Sequence, residues 1–402
     1  MAPVDLLDPA TFAGGQPHDA FRWLRSNAPV CWHPEPEGAG FWAVTRYGDV
    51  KAVGRNPEVF SSTPTIMIPD DAGALEASLD HQMFLTMDPP RHSTYRRVVS
   101  ARFTPRAVAE LRARIDQLAR QIVDAVAERG ECDLVADIAG EMPSFVVAEL
   151  MGIPLQDGRR LYELTETIHA APESVPEGAG MRAVMEMFEY AHAVAEEKRR
   201  RPGDDLSSLI VASEVEGRRV DDIDYNLFFL LLVDAGGDTT RNLLSGGIQA
   251  LFDHPEERAR LQAEPDRLLA STVEEMLRWV SPLIYMRRRA TVDTELAGKA
   301  VRAGDKVVMY YGAANRDEAA FADPDRFDVG RTPNDHVAFG SGGPHFCMGA
   351  HLGRLETSAL LREVLTRLPD LEPAGPVEWL ASTFISGPRA MPVRFRPVGH
   401  AA

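Results

Sequence analysis

The sequence predicts a mainly α-helical protein with small β-sheets, on three observations. Helical apolar spacing recurs through much of the chain, with runs near 142–152, 158–171, 180–200 and 205–213. Strand-like alternation is confined to short stretches, at 40–47 (Phe41, Ala43, Thr45) and 391–395. One long, apolar helix is expected from Asp222 to Phe252.

Composition narrows the function. The 402 residues are 45% hydrophobic, enough to bury a large core, and no repeat or low-complexity tract divides them. A net charge of −17 argues against nucleic acid as a partner. Three scattered cysteines, Cys31, Cys132 and Cys347, give neither a disulfide framework nor a zinc pattern. The longest dense apolar run, Leu227 to Val233, is too short to span a membrane. Met1-Ala2-Pro3-Val4-Asp5 has no basic start and no apolar stretch, so the expectation is a soluble, cytoplasmic protein without membrane contact.

In chain order, a short helix is expected at 18–26 and another after the first strand, through Val53. Residues 60–86 form a long irregular segment, and so long a loop in a compact fold is often functional. Asp88-Pro89-Pro90 then starts a helix on which His92 and Arg96, four apart, share a face. Five arginines and no acid lie between Arg91 and Arg106, a basic island on an acidic chain. Phe103-Thr104-Pro105-Arg106 breaks that helix and begins the next, to about Glu128. Pro172, Pro176 and Gly178–Gly180 read as a hinge between helices and suggest a movable lid.

Two stretches carry chemistry. Asp234-Ala235-Gly236-Gly237-Asp238-Thr239-Thr240 breaks the rules of a stable buried helix, with two glycines at about 1 kcal/mol each and a carboxylate that is costly to ionise. The Thr239 hydroxyl can bond back to the preceding turn, and small residues let a flat ligand or O₂ approach the backbone. The second stretch is Phe339-Gly340-Ser341-Gly342-Gly343-Pro344-His345-Phe346-Cys347-Met348-Gly349. It reads as a rigid loop feeding a helix N-terminus, where backbone N–H groups push a cysteine toward thiolate. A metal at Cys347 would have to bring most of its own ligands, as haem does.

Together these motifs resemble the cytochrome P450 family, over nearly the whole chain. Ala235-Gly236-Gly237-Asp238-Thr239-Thr240 is similar to its oxygen-activation segment and Glu275-Met276-Leu277-Arg278 to its Glu-x-x-Arg pair. Pro324-Asp325-Arg326-Phe327 is similar to the loop that completes that structural triad, and the Cys347 loop to the haem-thiolate signature. Phe339 to Cys347 is eight steps where the family usually has seven, a spacing similar to that of some actinobacterial hydroxylases of sterol side chains, methyl-branched lipids and terpenes.

The resemblance implies a single domain over 1–402, with a helix-rich core, a small N-terminal β-rich part, a long central helix over the haem and the cysteine loop beneath. Cys347 would be the axial thiolate of haem b. His92, Arg96, Arg288 and His345 would meet the haem propionates, and Phe339, Phe346 and Gly349 would shape the sulfur's surroundings. Ala235 and Gly236 would make room for O₂, Thr239 would donate to it, and Asp238 would relay protons. Glu275, Arg278 and Arg326 would form a buried structural network. Substrate contacts are expected from Met67, Ile68, Met83, Phe84, Leu85, Leu231, Ala235, Leu283, Ile284, Phe384 and Ile385, apolar as an unreactive C–H substrate requires. The implied activity is an O₂- and NAD(P)H-dependent monooxygenase, a monomer fed by ferredoxin and ferredoxin reductase at the basic island and Arg354. The alternatives are a peroxide-driven haem hydroxylase and a non-catalytic haem sensor.

Overall fold

The structure, a computed structural model, describes residues 4–36, 38–70, 81–169, 175–368 and 370–398. The N-terminal part consists of α1 (His18–Asn27), β1 (Val30–His33), β2 (Phe41–Val44), α2 (Tyr47–Gly54) and β3 (Phe60–Ser61). A helical region follows, with α3 (Arg91–Ser100), α4 (Pro105–Glu110), α5 (Arg112–Ala127), β4 (Glu131–Asp133), α6 (Glu141–Met151), α7 (Leu155–His169), α8 (Ala179–Arg200), α9 (Leu206–Ala212) and the β5–β6 hairpin (Glu214–Val215, Arg218–Arg219). Next come α10 (Asp222–Asp253), α11 (Pro255–Ala263), α12 (Pro265–Val280), β7 (Tyr285–Ala290), β8 (Thr294–Leu296), β9 (Lys299–Val301), β10 (Lys306–Tyr310) and α13 (Tyr311–Ala314). After a long loop, α14 (Ala350–Arg367) precedes the short strands β11 (Glu372–Pro373), β12 (Glu378–Trp379), β13 (Pro388–Ala390) and β14 (Pro392–Arg394).

The expected mix of many helices and small sheets is what forms. The largest sheet runs β1-β2-β10-β7-β3, bringing the N-terminal strands against the later chain; β2 and β10 pair parallel, from Phe41 opposite Lys306 to Val44 opposite Met309. The helix expected up to Glu128 is two, α4 and α5, because the chain steps at Leu111, whose N–H bonds to Val108 O instead of one turn back. Thr104 caps α4 by accepting from Ala107 N, with Pro105 at the first helical position. No single helix among the described residues is long and apolar enough to cross a membrane. Pro172 and the middle of the 60–86 segment (71–80) lie outside the described residues.

Helix α10 is the axis of the fold. Asp221 caps it, its carboxylate accepting from Asp224 N at 2.8 Å, and it then runs unbroken for 32 residues, about 48 Å. It is apolar on nearly every side because α6, α7 and α8 pack on one flank and α12 and α14 on another. Its glycines are explained by that packing. A Cβ on Gly236 would stand 2.7 Å from Val147, on Gly237 3.2 Å from Tyr162, and on Gly247 2.4 Å from Met276. Each offsets its helix-propensity cost by letting a neighbouring helix come close.

Candidate functional site

The cysteine loop is fastened at both ends. Cys347 N donates to Phe339 O at 2.9 Å, and α14 begins three residues after the cysteine. Burial pushes the Cys347 thiol up, while the Gly349 N–H, Arg96 and Arg354 pull it back toward thiolate. Its side chain is solvent-accessible although protein surrounds it on every side, so the sulfur faces an interior space. Ala235, in the middle of α10, is likewise exposed. Gly353 of α14 lies close to Thr240 of α10, so the helix that follows the cysteine packs directly on the central helix.

The longer loop is accommodated by a turn packed against the end of α2. Gly340, Gly342 and Gly343 take φ values of +91°, +84° and +83°, which other residues rarely adopt. Ser341 is buried, its carbonyl accepts from Arg55 Nε at 3.0 Å, and a Cβ on Gly343 would lie 2.7 Å from Gly54 O. Phe339 stays in place beneath the Arg354 guanidinium, 4.5 Å from its ring centre. Arg354 is itself fixed by Glu274 at 2.6 and 2.8 Å. Burial alone would raise Glu274, but its bonds to Arg354 and His336 hold it down at about 2. Phe346 is 39% exposed, so it screens the sulfur less than expected and leaves that duty to Phe339.

Beside the loop lies a cationic cluster with too few anions. The rings of His92 and His345 are 4.1 Å apart, and His345 Nε2 meets Ser62 Oγ at 3.1 Å. Arg96 donates to Phe346 O at 2.6 Å, and buried Arg288 donates to the Arg287 carbonyl at 2.8 Å. His92 Nδ1 is buried without a partner. Burial, then Arg96, lowers His92 to about 4, and burial, Arg288, His92 and Arg96 hold His345 neutral. Such a cluster fits the two carboxylates of a haem above a cysteine thiolate, through charge-assisted bonds from Arg96 and Arg288.

The structural triad forms with one member changed. Arg278 and Glu275 are fully buried and joined by two hydrogen bonds, of 2.7 and 2.8 Å. The third side chain is Arg331, which donates through Nε to both Glu275 oxygens at 3.1 Å. The expectation for Arg326 is overturned: its side chain is 61% exposed, and only its carbonyl joins the network, accepting from Arg278 and Arg331. The Pro324–Phe327 loop turns that backbone inward and leaves the guanidinium in solvent.

On the distal helix, Thr239 Oγ1 donates to Ala235 O at 3.1 Å, the expected back-bond. Gly236 does not open onto the cavity as expected, because Val147 covers its missing side chain. Asp238 is buried, and burial above all raises its carboxyl to about 7. Arg241 Nη2 lies 3.2 Å from Asp238, and Arg241 Nη1 bonds to the half-exposed Glu166 of α7. One turn earlier, Asp234 Oδ1 is 2.6 Å from His169 Nε2. Sequence reasoning missed Glu166, His169, Asp234 and Arg241. The available signal was their spacing: 234, 238 and 241 share one helix face, and 166 and 169 another.

Of the expected substrate residues, Met67, Met83, Leu85, Leu283 and Phe384 are half-buried, and Leu283 bridges Ile385. Phe84 and Leu231 pack in the cluster around Phe228, and Ile385 is 6% exposed. Ile284 and Ile68, at 0% and 1%, are core residues packed with Leu6, Phe12 and Phe21, so they present no surface to a ligand. The basic island is largely neutralised: Arg91 pairs with Glu216, Arg102 with Asp204 and Arg106 with Glu110. Arg97 is exposed and forms no ion pair among the described residues.

Comparison with known proteins agrees with this geometry. A family model described as Cytochrome P450 matches residues 9–373. The chain is 40% identical over 400 residues to the Steroid C26-monooxygenase of Mycolicibacterium smegmatis, covering 98% of this chain and 96% of that one. It is 39% identical over 386 residues to the Methyl-branched lipid omega-hydroxylase of Mycobacterium tuberculosis, covering 93% and 90%. The Mycobacterium marinum cytochrome P450 CYP268A2 in complex with pseudoionone superposes with a TM-score of 0.92, at 40% identity and 98% coverage of both chains. With its cysteine loop, cation cluster and polar distal helix, the chain belongs to the cytochrome P450 family, whose cofactor is haem b and whose monooxygenase chemistry acts on hydrophobic substrates.

Proposed function

We propose that the chain inserts one oxygen atom of O₂ into a C–H bond of a steroid, terpenoid or lipid-like substrate, with electrons from NAD(P)H delivered by a ferredoxin and its reductase. Haem, when bound, supplies the oxygen-activating iron, made electron-rich by its sulfur ligand. Cys347 holds the iron; Arg96 and Arg288 bind the propionates; Ala235 leaves room on the distal face. Thr239 and Asp238 manage the proton. Asp238 carries it on its carboxyl oxygen, and the Arg241–Glu166 link leads from there toward solvent. The observation that carries this reading is geometric: an accessible cysteine in a rigid loop at the start of α14, with a buried carboxyl, Asp238, one residue from the Thr239 hydroxyl on the central helix.

The similarity to enzymes of steroids and methyl-branched lipids supports an extended apolar substrate. The donor meets the cysteine-loop face, where Phe346 and Arg97 are exposed. Because most of the basic island is already paired, we expect only a modest fall in electron-transfer rate with salt. The test is coupling. Thr239→Ala should keep oxidising NAD(P)H while product per reductant falls. An unchanged ratio would remove Thr239 from proton delivery, and a reduced, CO-treated protein without the red-shifted Soret band of sulfur ligation would remove Cys347 as the ligand.

A further inference from the structure

His169 closes α7 and sits between two walls of the distal space. On one side its Nε2 meets Asp234 Oδ1 at 2.6 Å, one residue before exposed Ala235. On the other its ring lies tilted against Phe384, with the ring centres 6.0 Å apart, and the Phe384 segment reaches Leu283 through Ile385. The imidazole keeps 21% exposure and Asp234 29%, although protein surrounds the ring on every side, so the pair opens onto the interior space. An ionised carboxylate only accepts, which puts a proton on Nε2 and leaves Nδ1 as the free polar atom. Among the described residues Nδ1 has no hydrogen-bond partner. An ion pair in an otherwise apolar cavity costs desolvation, and an apolar substrate alone gives it nothing to bind.

Resting on the monooxygenase reading, we propose that His169, held by Asp234, is a specificity-determining residue that hydrogen-bonds a neutral oxygen, a ketone or hydroxyl, on an otherwise apolar substrate. Burial opposes charge on His169, but Asp234 and Asp238 raise it to about 9, so Nδ1 carries a proton and donates near neutral pH. The surroundings select against an anion. Asp234 neutralises the imidazolium, and Arg241 matches the Glu166 carboxylate beside Asp238, so the site offers a fatty-acid carboxylate no net positive charge to offset its desolvation. A site built to bond an oxygen discriminates strongly against the analogue without it, because its own polar group is then left unpaired.

The test uses the holoenzyme and matched ketone and hydrocarbon pairs on linear, terpenoid and steroid skeletons, with lauric acid as the anion. Affinity is read from the spin-state change and checked by calorimetry. On at least one skeleton the ketone should bind about tenfold or more tighter than its hydrocarbon. His169→Phe, which keeps a ring against Phe384, should bring that ratio below about threefold while leaving hydrocarbon affinity unchanged. His169→Gln, still a donor, should restore part of it. No ketone preference on any skeleton, equal weakening of ketone and hydrocarbon, or a His169-dependent preference for lauric acid would each overturn the proposal. The CO spectrum separates the two levels: with sulfur ligation intact only the role of His169 falls, and without it the monooxygenase reading falls as well.

Discussion

Arg331 and Arg326 give the sharpest contrast that the structure offers. In Arg331→Ala, buried Glu275 loses two of its charge-assisted contacts and keeps Arg278. The Ala322 carbonyl loses its donor as well, while those of Asp323 and Arg326 each lose one of two, keeping Arg326 N and Arg278. Breaking a buried ion pair from one side costs about 3–5 kcal/mol, and Arg278 holds the loss here to the lower end, about 3 kcal/mol. Arg326→Ala removes a half-solvated side chain whose nearest acid, Glu257, is 3.9 Å away, and should cost under about 0.5 kcal/mol. Urea unfolding of the haem-loaded proteins, followed by tryptophan fluorescence and the Soret band together, measures both. Haem loss should precede unfolding in Arg331→Ala alone, because the network underlies the loop leading to Phe339. Equal costs for the two variants would refute the assignment and return the third triad position to Arg326.

Three further outcomes follow from the same contacts. Asp238 holds its proton to about pH 7 when folded, whereas the unfolded chain releases it near 3.8. Stability should therefore fall as pH rises from about 4 to about 7 and level off above, and Asp238→Asn should remove a slope on the order of 2–4 kcal/mol across that window, read from urea midpoints. Gly343→Ala meets Gly54 O at 2.7 Å from a backbone of φ +83°, so it should displace the cysteine loop and shift the Soret maximum of the CO complex. Arg288→Leu removes a buried cation from the propionate cluster, and haem transfer to apomyoglobin should speed up severalfold, with little change in unfolding midpoint once haem is removed.

What the sequence made legible was what lies close together along the chain. Asp238-Thr239, Glu275-x-x-Arg278 and His345-x-Cys347 could each be read because a helical turn or a tight loop fixes their geometry locally. Arg331 could not, because whether 326 or 331 reaches Glu275 depends on how a loop turns its side chains. Gly236 was misjudged for a related reason: a missing Cβ announces close approach, but only the packed helices show that Val147 and not the cavity takes the space. Ile68 and Ile284 read as pocket because they are apolar, and composition does not distinguish a pocket wall from the core behind it. The pairs His169–Asp234 and Glu166–Arg241 lie 65 and 75 residues apart, beyond the reach of any local pattern.

The distal chemistry follows from how α10 divides its faces. Successive residues of a helix are turned by about 100°, so Asp234, Asp238 and Arg241 form one stripe and Ala235 and Thr239 the stripe beside it. The first stripe meets α7 through His169 and Glu166, and the second is the more accessible, with Ala235 exposed and Thr239 half-buried. A carboxyl raised by burial is thereby set one residue from the Thr239 hydroxyl, yet on the face turned to α7. Moving the acid by a single position would press it against Tyr162 of α7 or place it on the stripe of Ala235 and Thr239, and either place would cost it the Arg241 contact. The same division keeps His169 at the edge of the cavity, where it can meet an oxygen on the substrate without joining the proton route.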